Sequence, residues 1–387
     1  MRYIPRKLED VVRSAVRHFP AILLTGARRT GKTTLLQRTF PQAGYVLMEN
    51  PDIIGRFRAD PHGFLDGLRL PVILDEVQNV PELLNYVRSR IDARPRAMGQ
   101  WLLTGSHEAP LMTGVSESMA GRAAILHLMP LSTEETDRVD ILHGGFPEAL
   151  ARPSAAGLWF ASYVQTYLER DVRQVSNIRD LATFRRFLAL AASRCGTMLN
   201  RADLAAGLAV TVPTISQWLS ILETTQQIIL VPPFFENLGK RIVKSPRLYF
   251  TDTGLLCHLL GIGSRRELER SPFHGLVFEN LVVSEVAKHQ VNTGRRRELY
   301  YFRDRQGLEV DLLVPLGAKR MLLVEAKAGK TVFPNDAAPL LRLRKAMKRY
   351  ETTSLVIYQP TQDREAITAL QPGVQAVSVK AMLKRLT

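Results

Sequence analysis

Cysteine is nearly absent from this sequence: of 387 residues only Cys195 and Cys257 carry a thiol, far apart and at no metal-binding or disulfide spacing. A disulfide-stapled scaffold is excluded, and a reducing, cytoplasmic location is expected. No apolar run approaches the roughly 18 residues that a membrane-spanning helix needs. The opening MRYIPRKLED turns charged before any apolar stretch, so neither a membrane partner nor a secretory leader is expected. Acidic residues are in short supply, 37 against 52 lysines and arginines, for a net charge of +15. That excess favours an anionic partner, because each neutralised phosphate releases counterions on binding. There is no internal repeat and no low-complexity linker, and the length calls for several domains rather than one core.

What is present begins with alternation. Short apolar runs at Ala21–Leu24, Tyr45–Met48, Val72–Leu74, Trp101–Leu103 and Ala123–Leu128 are separated by helical stretches, the pattern of a parallel sheet with crossovers. From Ser132 to about Asp180 the pattern reads as helical, with Leu158, Tyr163, Tyr167 and Leu168 spaced for a buried face. Helices are then expected at Phe184–Ala192, Arg201–Leu208 and Thr214–Glu223, followed by strands at Ile228–Val231 and Leu248–Thr251. Three helices and a two-stranded ribbon describe a winged helix. The last segment reads as a helix (Leu276–His289), strands at Leu299–Arg303, Glu309–Pro315 and Met321–Ala326, a basic helix (Leu340–Tyr350) and a strand (Ser354–Tyr358).

Between the first apolar run and the helix after it stands Gly26-Ala27-Arg28-Arg29-Thr30-Gly31-Lys32-Thr33, a complete G-x-x-x-x-G-K-S/T phosphate loop in strand–loop–helix context. Its glycines let the backbone wrap phosphates, so Gly26, Arg28, Arg29, Thr30, Gly31 and Thr34 are expected to line the nucleotide. Lys32 is expected on the β- and γ-phosphates and the Thr33 hydroxyl on Mg2+. The run Val72-Ile73-Leu74 ends in Asp75-Glu76: Asp75 is expected on Mg2+ and Glu76 as the base that orients the attacking water. Thr104-Gly105-Ser106 closes the next run, so Ser106 or Thr104 is a candidate sensor of the γ-phosphate. Arg122, just ahead of the fifth run, is a candidate catalytic arginine for a neighbouring copy. No N-K-x-D segment for reading guanine occurs, which favours ATP.

Read in order, RKLEDVV, LDEVQNVPELL, LLTGSH, MAGRAAILHLMPLS, HGGFPEAL, RLYFTDTGLL, GLVFENLVVSEV, FRDRQGLEVDLLV and VEAK resemble, over almost the whole length, bacterial and archaeal AAA+ ATPases with a C-terminal domain of unknown function. The resemblance implies an α/β chain. A P-loop AAA+ sheet is expected over 1–130 and a helical lid over 131–180. A winged helix follows over 181–264, and a restriction-endonuclease-like α/β domain over 265–387. Gly145-Phe146-Pro147 is similar to the G-x-P element that replaces a second sensor arginine in some of these proteins, which implies Pro147 at the adenine or ribose. Arg122 matches the Gly-Arg before the fifth strand. Family members commonly carry Pro and Gln where this chain has Ala27 and Arg29, at variable positions of the loop.

A second constellation lies near the C-terminus. Asp311 on one strand and Glu325-Ala326-Lys327 at the end of the next form the D…E-x-K arrangement of restriction-type nucleases. Glu325 and Lys327 share a strand face. Two carboxylates there can hold a second Mg2+, with Glu279 as an added ligand, Glu309 as a substitute and Lys327 beside the water. An ion-paired structural cluster is the competing reading.

Thr211, Thr214, Ser216 and Gln217 are expected to head the second helix of a helix-turn-helix, with Val212-Pro213 in the turn. Lys240, Arg241 and Lys244 fall in the loop between the ribbon strands, and Arg295–Arg297 with Arg342, Arg344, Lys345, Lys348 and Arg349 extend the positive surface. Two main readings follow, with an ATP-gated nuclease as a third: an ATPase that engages DNA, or a STAND-like switch whose nucleotide exchange alters contacts with a partner protein or a second copy. The nuclease-like domain serves the second only as a scaffold.

Overall fold

The computed structural model describes residues 3–105, 119–168, 181–234, 245–360 and 368–386. The chain divides into two compact units. The first holds 1–131, 224–226 and 291–295, and the second holds 132–223, 227–290 and 296–387.

The first unit is built on a five-stranded sheet in the order β2-β3-β4-β1-β5, with every pairing parallel. Its strands are β1 (Ala21–Thr25), β2 (Gly44–Leu47), β3 (Val72–Asp75), β4 (Trp101–Thr104) and β5 (Ala123–His127). Successive strand side chains point to opposite faces. Ala21 and Leu23 accordingly pack with Phe57, Leu84 and Val87, on the side of helices Pro51–Ala59 and Leu83–Ala93. Ile22 and Leu24 pack with Leu8, Val12, Leu35 and Leu36, on the side of helices Leu8–Ala15 and Lys32–Thr39. Both faces are covered, which is why β1, β3 and β4 read as unbroken apolar runs and not as alternation.

The second unit departs from the sequence expectation at its start. Residues 132–146 form turns closed by an Asp140–Gly144 bridge. Helical structure begins only at Pro147–Ala151 and continues in Ala156–Tyr163 and the wide-turned Val164–Leu168. Leu158, expected on a buried face, is 75% exposed. Tyr163 is buried as expected, together with Phe160, and Phe146 packs edge-on and tilted against the pair; the side chains of Tyr167 and Leu168 lie outside the described residues.

Helices Leu181–Ser193, Arg201–Leu208 and Val212–Thr224 follow, with Phe184 and Phe187 against Trp218. Val212 and Pro213 belong to the third helix rather than to the turn. The turn is Ala209–Thr211, where Ala209 takes a left-handed backbone and the Thr211 hydroxyl accepts the amide of Thr214. The two short helices meet at a bend of 109°. No single helix among the described residues is long and apolar enough to cross a membrane.

A two-stranded antiparallel ribbon, β6 (Ile228–Val231) and β7 (Arg247–Phe250), comes next. Lys240, Arg241 and Lys244 lie outside the described residues. Helix His274–Asn292 then leads into a six-stranded mixed sheet, ordered β12-β13-β11-β10-β9-β8. Its strands are β8 (Tyr300–Arg303), β9 (Glu309–Pro315), β10 (Arg320–Ala326), β11 (Glu351–Ile357), β12 (Thr368–Gln371) and β13 (Val374–Val377). The basic helix is shorter than expected, Ala338–Ala346. It buries Leu340 and Leu343 and leaves Arg342, Arg344 and Lys345 exposed, with Lys348 and Arg349 exposed beyond it.

Candidate nucleotide site and the C-terminal carboxylate cluster

The phosphate loop runs from the C-terminal end of β1 to the first turn of helix Lys32–Thr39. Gly26 has φ 145°, and a Cβ there would run into the carbonyl oxygen of Leu128; Gly31 caps the helix with φ 96°. Both conformations belong to glycine. The loop is held by its own side chains. Thr30 donates its hydroxyl to the Ala27 carbonyl at 2.9 Å, and the Lys32 ammonium donates to the carbonyls of Gly26 and Ala27, each at 3.0 Å. A residue that the motif does not include also holds it. Arg6 is buried and donates from Nη1 to Thr30 O at 2.9 Å and from Nη2 to Met129 O at 2.7 Å, fastening the loop to the chain after β5.

The strand ends complete the site. Asp75, at the end of β3, is only 4% exposed, and its carboxylate accepts the Thr33 hydroxyl at 3.0 and 2.9 Å on its two oxygens. Tyr45, from β2, donates its phenol to Asp75 Oδ2 at 2.9 Å. Burial first, and then the bond and charge of Asp75, push the Tyr45 hydroxyl well above its ordinary range.

Thr104 joins both acidic residues. Its hydroxyl donates to Asp75 Oδ1 and accepts the amide of Glu76, the latter at 3.2 Å. Glu76 has φ 58°, a left-handed backbone that costs a non-glycine residue roughly 1–2 kcal/mol. Thr104 and Asn79, whose amide donates to Glu76 O at 3.0 Å, hold it there, and Gln78 donates to its carboxylate. Thr104 is thus committed to Asp75 and Glu76; the other sensor candidate, Ser106, lies outside the described residues.

Arg122 stands at the opposite edge of the sheet. Its carbonyl accepts the amide of Ala21, the first residue of β1, while the phosphate loop leaves the far end of that strand. Its guanidinium makes a two-point contact with Asp92, 2.6 Å from Nε to Oδ1 and 3.1 Å from Nη2 to Oδ2. Within its own unit it does not reach the loop. Pro147 opens a helix in the second unit, where the preceding Gly145 amide donates to the buried Asp252 at 2.6 Å. Asp252 also accepts the Leu255 amide at 3.0 Å, so the HGGFP and FTDTGL segments close on each other.

The second constellation does assemble, around a side chain that the sequence reading left out. Glu279, Glu309, Asp311 and Glu325 come together with Lys327, and Arg247 sits among them with 2% of its surface exposed. Helix His274–Asn292 is registered on β7 by Asn280, which accepts the Phe250 amide at 2.7 Å and donates to its carbonyl at 3.0 Å. That places Glu279 against Arg247. Burial, and then the charge of Asp311, push Glu279 up to about 8 and Glu325 up to about 7. Burial raises Asp311 as well. Among the described residues no group of three or more potential ligands is arranged for a metal ion. The second Mg2+ expected from the D…E-x-K spacing therefore does not fit the cluster as it stands: a guanidinium holds the position. The only signal in the sequence was a lone arginine opening an apolar strand, Arg247-Leu248-Tyr249-Phe250.

Comparison with known proteins places these features. A family model described as an AAA domain matches residues 18–136. Two models described as domains of unknown function, DUF8612 and DUF4143, match 138–266 and 274–382. Uncharacterized protein Rv2008c of Mycobacterium tuberculosis and uncharacterized protein Mb2031c of Mycobacterium bovis are each 35% identical over 318 residues, 80% of this chain and 70% of the relative. Among solved structures, the Walker-type ATPase PABY2304 of Pyrococcus abyssi is 15% identical and covers 66% of this chain and 96% of its own. Its TM-score is 0.44, below what establishes a shared fold. By the mycobacterial relatives and the AAA match together, the chain belongs to the family of Rv2008c and Mb2031c, and its first unit is a P-loop ATPase domain of the AAA type.

Proposed function

We propose that the chain hydrolyses Mg-ATP at the phosphate loop and couples turnover to engagement of DNA by its second unit. The observation that carries the catalytic part is the Thr33 hydroxyl on both oxygens of Asp75, which joins the loop to the acidic strand end. A hydroxyl and a carboxylate are hard oxygen donors that suit Mg2+. Thr33 and Asp75 would hold the ion, which when bound neutralises charge on the phosphates. Lys32, now on two loop carbonyls, would turn to the phosphates, and Glu76 would take the proton of the attacking water. Lys32→Ala is expected to abolish binding of a fluorescent ATP analogue. Glu76→Gln should bind it and turn over nothing; wild-type turnover in that variant would remove Glu76 as the base.

The DNA part is supported by the 109° meeting of helices Arg201–Leu208 and Val212–Thr224, within the about 90–120° of a helix-turn-helix pair. Thr211 and Gln217 are exposed at the head of the second helix, and the chain carries a net charge of +15. Binding to duplex DNA should weaken steeply with salt, by roughly 1,000-fold or more between about 50 and 200 mM for some six phosphate contacts. Affinity no better than that of an unrelated basic protein refutes this part. One observation favours a second reading, a STAND-like switch with a nuclease-like scaffold: the carboxylates expected to hold a second metal hold an arginine. ATP-dependent association with a protein partner, without affinity for DNA, would establish it.

A further inference from the structure

One guanidinium, that of Arg247, reaches three of the four C-terminal carboxylates. Arg247 Nη1 lies 3.4 Å from Glu279 Oε1 and 3.8 Å from Asp311 Oδ1, and Nη2 pairs with Glu309. Its Cζ stands 4.6 Å from the centre of the Tyr301 ring, a cation against an aromatic face. Tyr249, two residues along β7 and so on the same face, donates its phenol to Glu279 Oε1 at 2.6 Å. Asp311 Oδ2 accepts the Ala326 amide at 2.9 Å, and Glu325 Oε1 accepts from Lys327 Nζ at 2.8 Å. Glu325 is 7% exposed, and its Oε2 is buried without a hydrogen-bond partner.

We propose that Arg247 is the resident cation of this cluster, and that its guanidinium keeps divalent metal from a latent site formed by Glu279, Asp311 and Glu325. A planar guanidinium offers five donors in fixed directions and does not lose its proton in proteins, so it can serve several carboxylates at once and permanently. A divalent ion needs the same oxygens in its own coordination sphere, at about 2.0–2.6 Å. It cannot share them with a fixed positive charge a few ångströms away, because like charges repel strongly where water is excluded. The buried, unpartnered Glu325 Oε2 is a ligand atom that the present arrangement leaves unused. Without Arg247, Glu279 and Asp311 would lose the cation that now stands between them.

The test is a Mn2+ titration of the full-length chain without nucleotide, followed by electron paramagnetic resonance of the free ion. The phosphate loop is then the same in every sample, and the outcome does not depend on the ATPase or DNA readings. Wild type and Asp311→Asn are expected to give identical curves up to about 1 mM Mn2+, the weak end of carboxylate sites. Arg247→Gln is expected to gain one site per chain, at least tenfold tighter, that disappears in the Arg247→Gln/Asp311→Asn double variant. Arg247→Lys, which keeps a cation, should gain none. A wild-type site that vanishes in Asp311→Asn overturns the proposal, whatever the variants do. So does an Arg247→Gln protein that melts cooperatively yet gains no site. If Arg247→Gln does not fold, the wild-type and Arg247→Lys titrations decide, since an Asp311-dependent site in either refutes exclusion by the cation.

Discussion

Replacing Thr104 with valine removes one hydroxyl and little volume, at a position with no exposed surface. The hydroxyl makes two bonds: it donates to Asp75 and accepts the amide of Glu76. A hydrogen bond to a charged group contributes about 1.5–3 kcal/mol and a neutral one about 1 kcal/mol. Asp75 keeps the donors Thr33 and Tyr45, so the lower part of that range applies, and the sum is roughly 3 kcal/mol. At a few degrees per kcal/mol, the melting temperature of the first unit should fall by roughly 10 °C. The effect on turnover has a separate origin. Glu76 is held in a left-handed backbone partly by this bond, and displacement of a reacting group by about 1 Å costs up to about 100-fold in rate. A coupled-enzyme ATPase assay should therefore show kcat down about tenfold or more, with KM within a few-fold, because Lys32 and the loop amides are untouched. Thr104→Ser keeps the hydroxyl, gives up one methyl worth about 1 kcal/mol, and should retain near-normal kcat. A Thr104→Val protein that melts within about 2 °C of wild type and hydrolyses ATP normally would refute the bridging role, since even one lost bond predicts more.

Three other outcomes follow from the geometry. Gly26→Ala places a Cβ against the Leu128 carbonyl at φ 145° and should abolish nucleotide binding, measured by equilibrium dialysis; wild-type affinity would mean the loop does not require that turn. Glu279 and Glu325 sit near 8 and 7 against an ordinary 4.5, so the folded chain holds protons that the unfolded chain has shed. The stability they confer is complete below about pH 4.5 and is lost as pH rises through 7 to 8. Thermal melts should show the second unit weakening over that window, and Glu279→Gln should flatten the trend; an unchanged slope would count against it. Arg122→Ala should leave turnover per chain unchanged at low protein concentration, because Arg122 pairs with Asp92 at the sheet edge away from the loop. A deficit that grows with concentration would assign it to a second copy's site.

Features whose chemistry is local were legible in the amino-acid order alone. The eight residues Gly26–Thr33 specify a phosphate loop because its turn needs glycine at fixed places and a strand and helix on either side. The apolar runs marked the five parallel strands, most plainly the central β1, β3 and β4, because a strand buried on both faces has no polar alternation to hide it. The pair Asp75-Glu76 was legible for the same reason: charge at the end of an apolar run marks the edge of the sheet. Periodicity misled over 132–146, where turns are closed by Asp252 from more than a hundred residues away. Leu158 fits a helical stripe, yet it faces solvent, because the neighbouring Phe160 and Tyr163 have the packing partners. Arg6, Tyr45 and Thr104 owe their roles to partners distant in the chain, and their spacing carries no trace of those bonds. The carboxylate cluster shows the same division. The sequence pointed to Asp311, Glu325 and Lys327 by their D…E-x-K spacing, in which Glu325 and Lys327 share a strand face, and added Glu279 from the preceding helix. Which cation they would surround was decided only when β7 packed against helix His274–Asn292 and brought Arg247 among them, because a buried charge takes its partner from whatever the tertiary fold places within reach.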